Sequence, residues 1–248
     1  MTDSPEIEVQ KHIRCVAGDV ARCVLLPGDP ARARRIAEKL EEARLIAENR
    51  EYVVFTGTTN GVPVSVCSTG IGGSSAAIAL EELRNIGAEV FIRVGSAGGR
   101  RKDIPIGALV VVTAAYRGDG VSDEYLPLGF PAVADLDVNN ALIQAAKELG
   151  FSAFTGIGTT RSAFYARDPE LNERLRQVGV VAAEMEASTL FIVGAHRRAK
   201  VGCVVATDSN IYLDEQPTLA EKEALYMQGE GMTIRAALRA VQLLEARQ

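Results

Sequence analysis

The chain is poor in the features that mark several large protein classes, and each shortage narrows what it does. It has 248 residues but only four cysteines, Cys15, Cys23, Cys67 and Cys203, with no Cys-x-x-Cys spacing among them. That excludes a structural zinc motif and a disulfide framework. Cys23, Cys67 and Cys203 stand in apolar runs, so buried free thiols are expected. Positive charge is also short: the net charge is −5. A nucleic-acid scaffold or a binder of anionic membranes needs a basic face, so neither is expected. No apolar run approaches the roughly 20 residues of a membrane span. Residues 1–10 are polar and acidic rather than a charged start before an apolar run, which speaks against a secretory signal and for the cytoplasm. No Gly-x-Gly-x-x-Gly or Gly-x-x-x-x-Gly-Lys-Ser/Thr follows a strand and opens a helix, which argues against dinucleotide and Walker-type phosphate binding. Low-complexity tracts, internal repeats and a clear linker are missing as well.

What is present is an apolar share of 47%, ample for a sizeable core. Residues 1–11 read as a loose arm. Cys23–Leu26 is a short strand, and Pro27-Gly28-Asp29-Pro30 turns it into a helix expected over Ala31–Leu45. Tyr52–Thr59 and Val62–Ser68 flank Asn60-Gly61, a strong hairpin signal. Thr69–Ser75 is a glycine turn before a helix over Ala76–Ile86. The Val90 strand ends in a second glycine turn, Gly95–Gly99, and Ile106–Tyr116 is a further strand. Arg117–Ala134 is irregular and a candidate functional loop or interface. Helix Asn139–Leu149, strand Phe154–Thr160, helix Pro169–Gln177, strand Val180–Ala183, a helix through Gly194, strand Lys200–Ala206 and a C-terminal helix complete the chain. This alternation predicts an α/β fold with a mixed sheet in one domain.

Three stretches carry candidate chemistry. Arg93 stands inside the apolar run Val90–Val94, where a guanidinium is costly unless an anion meets it. Ser96 and the glycines after it let backbone N–H groups approach a ligand, so this strand end suits phosphate. The plainer reading is a tight turn beside a snorkelling arginine. Glu184-Met185-Glu186 places two carboxylates where an apolar strand turns into an apolar helix; alternate residues of an extended segment face one pocket. A carboxylate there would accept from vicinal hydroxyls, or simply complement the helix dipole. Asp208 ends the last strand and reads as a general acid or as an Asx turn.

Taken in order, Leu-Pro-Gly-Asp-Pro-x-Arg (26–32), Ser-Thr-Gly-Ile-Gly-Gly (68–73), Arg-Val-Gly-Ser-Ala-Gly (93–98), Ala-Phe-Tyr (163–165) and Glu-Met-Glu (184–186) resemble the nucleoside phosphorylases. That family includes hexameric purine nucleoside phosphorylase, uridine phosphorylase and methylthioadenosine phosphorylase. The resemblance spans about His12 to Arg235. It implies a three-layer α/β sandwich whose central mixed sheet is a partly closed barrel flanked by helices. It also implies transfer of a ribosyl group from base to inorganic phosphate, a co-substrate, with no organic cofactor and no metal chemistry. Residue by residue, it implies phosphate binding by Gly28, Arg32, Arg93 and Ser96, with Arg50 lent by a neighbouring subunit. His12 would reach the 5′ end of the sugar, again across a subunit boundary. Met185 and Glu186 would hold the ribose, and Phe164 and Glu184 the base. Asp208 would protonate a leaving purine, a role that needs burial beside Glu184 to keep it protonated. The implied assembly is a homo-oligomer, with a dimer as the minimal active unit and three dimers in a ring as the whole.

Within the family the expected substrate is a purine nucleoside, because Asp208 is present and the Gln- and Arg-bearing insertion of uridine phosphorylases after Phe164-Tyr165 is absent. The alternative is uridine. Pro127–Asp135 resembles the uridine phosphorylase loop, and Arg50-Glu51 and Ile71–Ser75 match its interfacial monovalent-cation positions. Arg161-Ser162-Ala163 departs from the Ser-Asp or Ala-Asp that relatives carry before the aromatic pair. A phosphate-independent nucleosidase and a non-catalytic nucleoside-binding module are the remaining readings.

Overall fold

A computed structural model describes residues 8–166 and 168–246. Most of the expected arm therefore lies outside the described residues. The part inside is tied down: Gln10, Ile13 and Cys15 are buried, and the His12 and Ile13 amides donate to Glu82.

Strand β1 (Cys23–Leu26) leads into helix α1 (Pro30–Ala37), capped by Asp29 through the amides of Ala31 and Arg32, with Pro30 in the first turn as expected. The helix expected to run to Leu45 stops at Ala37. Glu41–Asn49 is instead strand β2, antiparallel to β3 (Tyr52–Thr59). Local propensity in Glu-Glu-Ala-Arg-Leu favours a helix, but ladder pairing with β3 outweighs it. Glu42 takes the left-handed region (φ 52) beside a register shift. Gly57 of β3 admits the crossing backbone: a Cβ there would lie 2.7 Å from the Glu41 carbonyl oxygen. β2 is an edge strand, and its charged side chains discourage pairing with other chains. β3 and β4 (Val62–Cys67) form the hairpin, with Asn60 and Gly61 both at positive φ.

Helix α2 (Gly73–Asn85) precedes strand β5 (Val90–Gly99). The glycines after Val94 thus continue the strand instead of forming the expected turn; none of them has positive φ. Then follow β6 (Leu109–Gly118), the short α3 (Val121–Tyr125), α4 (Leu136–Glu148), β7 (Ala153–Arg161) and α5 (Pro169–Gln177). The remainder is β8 (Ala182–Glu184), α6 (Ala187–His196), β9 (Lys200–Ser209) and α7 (Leu219–Glu245). The irregular segment after β6 is held by Arg117, which donates to the carbonyls of Leu126, Pro127 and Phe130.

The nine strands run in the order β2-β3-β4-β1-β5-β8-β7-β6-β9, and β9 pairs back onto β5. β5, β8, β7, β6 and β9 therefore close a ring, and the other strands extend from it as an open sheet: the partly closed barrel. Pairing is mixed, parallel for β1 with β4 and β5 and antiparallel for β5 with β8. Side chains alternate along β5, so Phe91 enters a core with α2 and α6, while Ile92 and Val94 enter another with α1, α4 and α7. Each fully buried Leu, Ile or Phe stabilises this three-layer packing by about 1.5–3 kcal/mol. The four cysteines are buried and free. Burial pushes the Cys15 and Cys23 thiols up to about 12, so they stay protonated and inert. Among the described residues no helix is long and apolar enough to cross a membrane.

Candidate active site

A cavity of about 920 Å³ opens where β1, β5, β7, β8 and β9 end. Its floor is Arg93. The side chain is 3% exposed and runs along the face of β5 over Gly95, two residues on. A Cβ at Gly95 would lie 2.8 Å from the Arg93 guanidinium carbon, so only glycine leaves room. Arg93 Nε donates to Glu184 Oε2 at 2.8 Å, and Nη2 pairs with Glu186 Oε2. Burial works against the guanidinium charge, but Glu186 and Glu184 more than offset it and raise the pKa.

Glu184 lines the cavity yet is almost fully engaged by protein. Its Oε2 also accepts from the Glu186 and Ala187 amides, both at 2.8 Å, and its Oε1 accepts from Thr160 Oγ1. Three of those four bonds fall on Oε2 and one on Oε1, which leaves one acceptor position on Oε1 for a base. Glu186, 4% exposed, begins α6 and accepts from the Gly72 amide. Gly72 has φ +95, a conformation glycine adopts without strain. Burial is the main cause that lifts the Glu186 carboxyl above its ordinary range; Arg93 opposes the shift and Glu184 adds to it.

Arg32, from the first turn of α1, enters from the β1 side. It is 5% exposed and donates through Nε to Glu230 (2.7 Å), through Nη1 to the Val94 carbonyl (3.1 Å) and through Nη2 to Tyr226. Gly28 and Gly70 bring two turns together, with the Gly70 amide donating to the Gly28 carbonyl at 2.9 Å. A Cβ at Gly28 would meet the Gly70 carbonyl oxygen at 3.0 Å. Gly28, Arg32, Arg93, Ser96, Met185 and Glu186 thus share one end of the cavity.

The opposite end is open. Phe164 and Tyr165 are 68% and 86% exposed and meet edge to face at 5.0 Å. Asp208 lines this cavity but is exposed, and its carboxylate accepts from Ser209 Oγ at 2.7 Å. The burial that a general-acid role calls for is therefore not there: β9 extends to Ser209, and its last two residues are exposed. His12 and Arg50 stand outside the cavity. His12 Nδ1 is 2.6 Å from Glu82, and Arg50 sits exposed at φ 56 in the β2–β3 turn.

Four contributors were not singled out from the sequence. Thr160 and Arg161 end β7, and the Arg161 side chain lines the cavity with no hydrogen-bond partner among the described residues. Tyr226 and Glu230 come from α7, and their four-residue spacing was the available signal. No group of three or more His, Cys, Asp or Glu able to hold a metal occurs among the described residues.

The sequence profile of the phosphorylase superfamily matches residues 22–246. The chain belongs to that superfamily. It is 45% identical to the uridine phosphorylase of Thermococcus kodakarensis, over 94% of this chain and 90% of that protein. Two solved structures superpose on nearly all of it. Uridine phosphorylase from Vibrio fischeri does so with a TM-score of 0.90, 32% identity and coverage of 97% of this chain and 100% of that one. Purine nucleoside phosphorylase from Toxoplasma gondii, in complex with immucillin-H, does so with 0.89, 33% identity and 98% of each chain.

Proposed function

We propose that this superfamily member is a nucleoside phosphorylase acting on uridine. The observation that carries the phosphorolysis is the convergence of Arg93, Arg32, Ser96 and Gly28 on the cavity end that also holds Glu186. Inorganic phosphate bound there attacks the anomeric carbon. The new C–O bond forms as the C–N bond breaks, and the bonding pair leaves on the base nitrogen, which takes up the equivalent of the proton that monohydrogen phosphate gives up on becoming the ester. Positive charge grows on the ribose, and the phosphate oxyanion beneath it stabilises that charge while serving as nucleophile. Glu186 accepts from the ribose hydroxyls, Met185 packs on the sugar and Phe164 stacks on the base. Glu184 acts through Arg93, whose Nε it fixes.

The choice of uridine over the expected purine rests on the 45% identity to a uridine phosphorylase across nearly both lengths. The cavity supports it: Arg161 carries only donors and suits the carbonyl oxygens of uracil, while Asp208 is exposed and lacks the burial that the purine role calls for. A purine reading retains support in the likeness to the Toxoplasma enzyme. Incubation with uridine, inosine or adenosine, with and without phosphate, tests all of this. Uracil release that requires phosphate is expected. Faster inosine cleavage would favour the purine reading, and release without phosphate would overturn phosphorolysis.

The placement of His12 and Arg50 outside the cavity supports a site completed by a second copy of the chain, with a dimer as the smallest active unit. Activity per subunit is expected to fall on dilution in step with dissociation seen by sedimentation. Full activity in a monomer would end that reading.

A further inference from the structure

We propose that the C-terminal helix α7 is a working part of the phosphate site, with Glu230 and Tyr226 as positioning residues for Arg32. This rests on the phosphorolytic reading of the cavity, and adds to it two residues from an element 190 residues and more away in sequence from Arg32.

Glu230 is 1% exposed, and among the described residues its carboxylate is hydrogen-bonded to the cavity lining through Arg32. A buried charge is retained only where its partners meet it fully, and here they do. Its Oε2 accepts from Arg32 Nε (2.7 Å), Arg35 Nη2 (2.9 Å) and the Tyr226 hydroxyl (3.1 Å), while Oε1 accepts from Arg35 Nε (2.6 Å). The Tyr226 hydroxyl in turn accepts from Arg32 Nη2. One turn of helix therefore grips a guanidinium from α1 at two of its nitrogens, and the Val94 carbonyl of β5 holds the third.

The grip is also stiff. Gly229 lies against Gly107 so closely that a Cβ on it would come within 2.4 Å of the Gly107 carbonyl oxygen, and a Cβ on Gly107 would be as close to the Leu225 carbonyl. The Gly107 amide donates to the Thr207 carbonyl at 2.8 Å. Backbone contact thus fixes the height of Glu230 on the barrel beside the end of β9. Three of the five Arg32 donors are held by protein, and the two that remain are oriented before any anion arrives. Such preorganisation is what a site needs to hold a nucleophile at one angle.

The test is phosphate titration, by calorimetry without nucleoside and by initial rates at saturating uridine. Glu230→Gln keeps the shape and removes the charge. It is expected to weaken phosphate binding and raise the phosphate KM about tenfold or more, with the uridine KM within about twofold of the parent. Glu230→Asp should recover part of the loss. Tyr226→Phe, which removes one hydroxyl and folds even if Glu230→Gln does not, should raise the phosphate KM about threefold. Unchanged phosphate binding in both variants, or a fall in kcat at unaltered phosphate KM, would overturn the proposal. If the parent enzyme released base without phosphate, the proposed function would fail, and calorimetry with phosphate alone would still judge the α7 grip.

Discussion

At the Arg93 end of the cavity Arg32, Arg93, Glu184 and Glu186 are buried and met by protein, whereas at the Phe164 end the rings stand in solvent. Arg93 and Glu186 are 3% and 4% exposed, against 68% and 86% for Phe164 and Tyr165. The first end is assembled from β5, β8, α1, α2 and α7, so that moving any one group disturbs several others. The second is one segment after β7, tied back by the Ser162 hydroxyl to the Asp119 carbonyl. Reaction chemistry tolerates little displacement, and a network of buried charge pairs enforces that. On the proposed reading, base choice falls to surface that can be altered without dismantling the fold, here the exposed segment.

The contrast is sharpest under substitution of Arg93. Arg93→Ala leaves Glu184 and Glu186 buried without their cation, a loss on the order of 3–5 kcal/mol when a buried pair is broken. It should lower phosphorolysis of every nucleoside about a hundredfold or more, with a lower melting temperature. Near-normal turnover at low phosphate would erase the distinction drawn between the two ends.

A smaller, pH-dependent effect is expected at Glu186. A carboxyl raised in the folded protein takes up its proton at higher pH than an ordinary glutamate, and the protonated form no longer accepts two hydroxyl hydrogen bonds. The acid limb of kcat/KM should therefore begin above the ordinary glutamate range. Glu186→Gln should be slower by tenfold or more and should lack that limb. A limb that persists in the variant would assign the titration elsewhere.

The mildest effect belongs to the open end. Stacking of a base on an aromatic ring contributes about 1–3 kcal/mol, so Phe164→Ala should raise the nucleoside KM roughly tenfold. The phosphate KM and the melting temperature should barely change. If stability fell as it does for Arg93→Ala, the segment would be part of the framework after all.

Much of this division was readable in the chain. Asp29-Pro30, Asn60-Gly61 and the apolar run around Arg93 each specify local geometry through short-range rules, and each forms the expected cap, hairpin and buried strand. The errors fall where distant backbone decides. Glu41–Asn49 has the composition of a helix and pairs as a strand because β3 lies beside it. Gly95–Gly99 has the composition of a turn and stays extended because β8 and β9 hydrogen-bond to it on both sides. Asp208 was placed at a strand end, but how far the strand carries it outward depends on the closing of the barrel.

From its residues alone the protein was bound to be an α/β molecule with arginine, serine and glycine at one strand end, a paired glutamate motif and an aromatic pair, because these are properties of adjacent residues. Only the folded chain decided that Glu184 belongs to Arg93, that Arg161 faces the cavity and that α7 reaches back to Arg32. Those pairings join residues far apart in sequence, and their energy depends on burial and angle, which exist only once the barrel has closed.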